Sequence, residues 1–82
     1  MNRELTDNID KIHTTIMGKE RIRKNLELGD VDVVDYCKTK IMDKNALITR
    51  KGKNWYVSTD GCVITVNAHS YTIITAHKKD RI

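Results

Sequence analysis

Two histidines, His69 and His77, bracket an apolar run in the stretch NAHSYTIITAHKK, which spans residues 67–79. Imidazoles that titrate near neutral pH serve as acid–base groups or as metal ligands, so the pair invites both readings. Distance excludes them. A strand rises about 3.3 Å per residue, which places the two rings roughly 26 Å apart if the run is extended. One substrate or one metal ion cannot meet both within hydrogen-bond or coordination reach. Cys62, His69 and His77 fail as a metal triad for the same reason. Each histidine therefore stands alone. His77 ends the run ahead of Lys78, Lys79 and Arg81. It reads as a general acid or base in an electropositive rim, or more plainly as a strand-end residue before a solvated tail. His69 reads as an exposed turn residue. His13 flanks an apolar helical stripe and reads as a boundary residue rather than a catalyst.

Cations cluster in three places: Lys19–Lys24, Arg50–Lys53 and His77–Arg81. The first also reads as the solvated face of a helix. The second runs into Asn54, Trp55 and Tyr56, mixing cations, a glycine and aromatics at a hairpin. Cations hold phosphates, and an exposed aromatic stacks on a base. Tyr56 suits stacking, although cross-strand packing on a half-exposed sheet explains it equally well. The expected catalytic set is His77, Arg50 and Tyr56. The expected nucleic-acid contacts are Lys51, Lys53, Lys78, Lys79, Arg21 and Lys24. There is no phosphate-binding glycine loop, no nucleophile elbow and no HExxH. No acidic pair is placed to hold Mg²⁺. Cleavage of RNA by such a chain is expected to proceed without metal or cofactor, by 2′-hydroxyl attack with Arg/Lys charge stabilisation.

The chain has 82 residues, a net charge of +4 and a pI near 9.2, which favours an anionic partner such as nucleic acid. No run of about 18 apolar residues exists to span a membrane. The first ten residues lack the apolar core of a signal peptide. The expected location is cytoplasmic. Cys37 and Cys62 stand in no metal-binding spacing and are expected to be small, buried and reduced.

The elements that must position these residues divide at about residue 44. One domain is expected over 1–82, with a helical half over 1–43 and a sheet over 45–79. Leu5, Ile9, Ile12 and Ile16 form a helical stripe that Gly18 is expected to end. A second helix is expected over about 19–27, stopped by Gly29. A third is expected over about 31–42, capped by Asp30, with Val34, Cys37 and Ile41 inward and Val33 beside them. Four strands follow, at 46–51, 54–58, 62–67 and 71–77. Turns at Gly52-Lys53, Asp60-Gly61 and Ala68-His69 fix a register. One face then carries Ile48, Val57, Ile64 and Ile73 beside Arg50, Trp55, Val66 and Tyr71. The other carries Thr49, Tyr56, Thr65 and Thr72, then Lys51, Asn54, Asn67 and Ser70. Three separate turns yield one apolar and one polar face. The expected fold is therefore α+β: two to three N-terminal helices packed on one face of a four-stranded antiparallel meander.

The stretches IDKIHTTIMGKERIRKNL (9–26), DVVDYCKTKIMDKNALITRKGKNWYV (32–57) and ITVNAHSYTIITAHKK (64–79) resemble a small bacterial and phage family known only as a domain of unknown function. More distantly, the order of helices and meander is similar to the RelE/barnase group of metal-independent ribonucleases and toxins. That resemblance implies an active site on or beside the sheet. The expected function is RNA binding, with endoribonuclease-like cleavage as its enzymatic form. The alternative is a non-catalytic interaction module. Such a module would be a phage- or mobile-element-encoded inhibitor of a host defence protein, or a homodimer paired along a strand edge.

Overall fold

A computed structural model of the chain describes residues 3–79. Asp80 and Arg81, part of the third basic cluster, lie outside the described residues. Helix α1 (Glu4–Asp7) and a 3-10 turn (Ile9–Lys11) lead through an extended segment to α2 (Ile16–Asn25) and α3 (Val33–Ile41). Strands β1 (Leu47–Lys51), β2 (Asn54–Thr59), β3 (Cys62–Asn67) and β4 (Ile73–Lys78) form an antiparallel sheet in the order β1-β2-β3-β4. This is the expected α+β fold, with the helices preceding the meander.

The N-terminal segment departs from the stripe reading. Leu5 and Ile12 are buried, but Ile16 is 78% exposed. The chain turns extended between Ile12 and Thr15 because a tertiary interaction outweighs helical periodicity. His13 forms a parallel bridge to Thr72, in which Ile73 N–H donates to His13 O (2.7 Å) and His13 N–H to Tyr71 O (3.2 Å). Gly18 lies inside α2 rather than ending a helix. Thr15 caps α2 by accepting from Gly18 N–H at 2.9 Å, and a Cβ on Gly18 would collide with Thr14 Oγ1. The second helix is ended by Glu27 in the left-handed region (φ 56°), not by Gly29. Leu28 N–H reaches back to Arg23 O, as in a Schellman closure. Asp32, not Asp30, caps α3, accepting from Asp35 N–H at 3.0 Å. Within α3 Cys37 and Ile41 are buried as expected, and Val33 rather than Val34 is the fully buried one of that pair.

The first two hairpins have the expected register. Ile48 pairs with Val57 and Arg50 with Trp55, then Val57 with Ile64 and Trp55 with Val66. Gly52 (φ 60°) opens the first turn, and Asp60 and Gly61 (φ 47° and 73°) form the second, the positive angles that tight hairpins require. The third connection differs. The expected pairs Ile64–Ile73 and Val66–Tyr71 do not form. Val66 pairs with Ile73, a bulge follows, and Ile64 pairs with Ala76. Asn67 causes this, because its Oδ1 accepts from His69 N–H, Ser70 N–H and Ser70 Oγ. That side-chain turn lengthens the loop and sets Tyr71 at φ 61°.

The helix-covered face therefore carries Ile48, Val57, Ile64 and Ala76 beside Arg50, Trp55, Val66 and Ile73. Its core is completed by Ile22 of α2 and Leu26 at its C-cap, and by Val33, Cys37 and Ile41 of α3. The open face carries Thr49, Tyr56, Thr65 and Thr75, with Thr75 in the place expected of Thr72. Leu47, Ser58, Val63 and His77 form the row on one side of these, and Lys51, Asn54 and Asn67 the row on the other.

Candidate nucleic-acid interface

The β1–β2 hairpin and the long Asn67–Thr72 loop meet at one end of the sheet, where Ala68 N–H donates to Lys53 O at 2.7 Å. Arg50 falls on the covered face. Its Nε donates to Gly52 O (3.0 Å) and its guanidinium lies over the Trp55 ring, 5.5 Å from the centroid. Trp55 is fully buried. Tyr71, swung out of the sheet by the loop, covers it at 5.4 Å, and Lys11 lies over Tyr71 at 5.5 Å. A stack of two rings capped by a cation at each end thus runs from Arg50 to Lys11, each ammonium or guanidinium facing the electron-rich side of a ring. Beside this stack opens a cleft of about 560 Å³ lined by Glu4, Arg50, Lys53, Asn67, Ala68 and His69. Among the described residues, Arg50, Lys53 and His69 form no ion pair. Two buried polar atoms at this end, Asn54 Oδ1 and Trp55 Nε1, have no hydrogen-bond partner among the described residues.

His13 belongs to the same end. Its Nδ1 lies 2.8 Å from Lys11 O, and a carbonyl only accepts, so Nδ1 carries the proton. Its Nε2 lies 3.1 Å from Thr72 Oγ1, which contacts Ser70 Oγ at 2.8 Å. An oriented imidazole thus faces a hydroxyl pair. Sequence reading passed over His13 because Thr72 is 59 residues away. Lys11 was missed for a similar reason, since it meets Tyr71, 60 residues on, only where the lengthened loop holds that ring over Trp55.

The opposite end of the sheet holds His77, Lys78 and Lys79. His77 is exposed on the open face and donates from Nδ1 to Lys78 O (3.0 Å). Two cations at this end are answered by acids: Lys78 pairs with Glu27 at 2.9 Å and Lys40 with Asp60 at 2.5 Å. A smaller cleft of about 380 Å³ lies between Tyr36, Asp60, Lys78 and Lys79. Tyr56 stands half-buried in the middle of the open face. The expected catalytic set is therefore spread out. Tyr56 and His77 share the open face in adjacent rows, whereas Arg50 occupies the covered face at the far end. Of the expected nucleic-acid contacts, Lys51 flanks the first hairpin turn and Lys53 lies in it. Lys78 and Lys79 lie at the opposite rim, and Arg21 and Lys24 are exposed on α2. No cluster of three or more potential metal ligands occurs among the described residues. Cys37 and Cys62 are buried free thiols, and burial pushes the Cys37 thiol up to about 12.

The model of the family described as "Protein of unknown function (DUF3781)" matches residues 6–77. The chain belongs to the DUF3781 family. No curated protein and no solved structure matches it, and no link to the RelE/barnase group is found. The DUF3781 match takes in both ends of the sheet and every lining residue of the larger cleft except Glu4. No helix among the described residues is long and apolar enough to cross a membrane.

Proposed function

We propose that the protein binds single-stranded RNA across the open sheet face, with the strand's phosphates held at the Arg50–Lys53–His69 cleft. One observation carries this reading. Among the described residues no ion pair takes up Arg50, Lys53 or His69, whereas at the opposite end Lys78 is paired with Glu27 and Lys40 with Asp60. Unpaired cations beside a concave surface attract phosphate and release counterions when it binds. The open face adds the remaining chemistry. Tyr56 offers a ring for one base, and Thr49, Ser58, Thr75 and Asn67 offer groups that pair with 2′-hydroxyls and base edges. The separation of Arg50 from Tyr56 and His77 favours binding over cleavage.

Fluorescence anisotropy with a labelled twelve-nucleotide oligouridine tests the proposal. Arg50→Ala combined with Lys53→Glu is expected to weaken binding by about tenfold or more, a loss of about 1.4 kcal/mol. Lys78→Ala, whose cation is already paired with Glu27, is expected to change it much less. Absence of binding to wild type at low salt, or equal losses at the two ends, overturns the reading. Gel analysis of the same RNA is expected to show it intact. Cleavage that disappears in His77→Ala would make the protein a nuclease instead.

A further inference from the structure

The two edges of the sheet are finished in different ways. The outer edge of β4 is covered: Ile73 N–H donates to His13 O, Thr14 Oγ1 donates to Ile73 O at 2.9 Å, and Asn25 Nδ2 donates to Ala76 O at 3.2 Å. The outer edge of β1 is left open. Lys51 and Asn54 flank a two-residue turn and so form a hydrogen-bonded pair, and pairing types alternate along the strand from there. The N–H and C=O groups of Ile48 and Arg50 consequently point away from β2. Among the described residues no backbone group meets them.

An apolar cleft of about 500 Å³ borders this edge, between the C-terminal end of α3 and the start of β1. Ile41, Met42, Ala46, Leu47 and Ile48 supply its apolar wall. Met42 and Leu47 are 54% and 67% exposed, large for unbranched and γ-branched apolar side chains next to a core. Open backbone groups beside an apolar recess are what an added strand needs, because alternate side chains then enter the recess while the backbone pairs. Charge selects the occupant. Arg3 and Lys44 line the cleft and Lys51 ends the strand, all exposed. The one acid there, Asp43, already accepts from Asn45 N–H at 2.7 Å. A second copy docked on the same edge would bring these cations towards their own counterparts. An acidic segment would be attracted.

We propose that the β1 edge is a docking site for an extended, acidic segment of a partner protein, which adds a strand beside Leu47–Lys51 and places an apolar side chain in the Met42–Leu47 cleft. This surface adjoins the Arg50–Lys53–His69 cleft at Arg50, using that residue's backbone where the cleft uses its side chain, and the proposal does not depend on RNA binding. The probe is a synthetic heptapeptide alternating glutamate with valine and isoleucine, titrated into the ¹⁵N-labelled protein. Binding is expected with a dissociation constant below about 1 mM. Amide shifts should centre on Ile48–Arg50, and the Ile48 and Arg50 amides should become protected from exchange. A lysine-for-glutamate peptide and a glutamate–serine peptide should both fail. Leu47→Asp, at an exposed position where folding can be verified by circular dichroism, should weaken binding by tenfold or more. Failure of the acidic peptide to bind, equal binding of the control peptides, or unchanged exchange at Ile48 and Arg50 overturns the proposal. So does protection of the Ile48 amide by self-association of the free protein, or by oligouridine in place of peptide.

Discussion

Cys37 illustrates how a residue's chemistry is set by where the fold places it. Its thiol is fully buried beneath α3, and loss of solvent stabilisation of the thiolate raises its pKa from the ordinary 9.0 to about 12, with Cys62 adding a smaller push. Both thiols are accordingly expected to resist iodoacetamide at pH 8 in the folded protein and to react once it is denatured, as mass spectrometry would show. The pH dependence follows with a definite sign. Between pH 9 and 12 the unfolded chain loses the Cys37 proton while the folded chain keeps it, so stability falls as pH rises through that window. Urea unfolding across pH 9–12 should show a shallower fall for Cys37→Ala than for wild type. Burial of both cysteines was legible in the sequence, because no metal or redox spacing competed with it. The partnership of His13 with Thr72 and Ser70 was not legible, because it joins groups far apart in the chain.

At the scale of elements, Asp32 carries the start of α3. Its carboxylate accepts from Asp35 N–H, which together with a weaker bond from Val34 N–H and nearby lysines holds its pKa below the ordinary 3.8. The folded state therefore binds this proton less tightly than the unfolded state. The resulting stability is present above pH 3.8 and is lost as pH falls below it. Asp32→Ala is expected to lower the melting temperature at pH 7. Asp32→Asn, which keeps a capping oxygen, should retain most of the stability there and lose the dependence at acid pH. Elements closed by local signals matched their sequence reading: Asp-Gly and Gly52-Lys53 fixed two hairpins to the residue. Elements that depended on competition did not. The Leu5–Ile16 stripe broke because the His13 backbone pairs with β4, and the third hairpin lengthened because the Asn67 side chain captured the loop's N–H groups.

Across the whole molecule, charge and edges are distributed unevenly. Among the described residues, Lys40 and Lys78 at one end of the sheet are paired with acids, while Arg50, Lys53 and His69 at the other are in no ion pair. If the unpaired end seats RNA, log K should fall linearly with log salt, at a slope of about −0.7 for each phosphate neutralised on a single strand. Arg50→Ala with Lys53→Ala should reduce that slope by about 1.4, since two contacts are removed. Anisotropy titrations at a series of salt concentrations measure this, and an unchanged slope would move the phosphates elsewhere. By itself the sequence determined the α+β order, the two tight hairpins and the separation of an apolar from a polar sheet face. Each of these follows from turn chemistry and from the period-two alternation of neighbouring residues. Only the tertiary structure decided that Tyr71 leaves the sheet to cover Trp55, that the register shift in β4 turns His77 to the face opposite Arg50, and that β4 is sealed while β1 stays open. Those outcomes rest on contacts between residues distant in the chain, where one side-chain turn at Asn67 was enough to shift a strand's register and rebuild one end of the molecule.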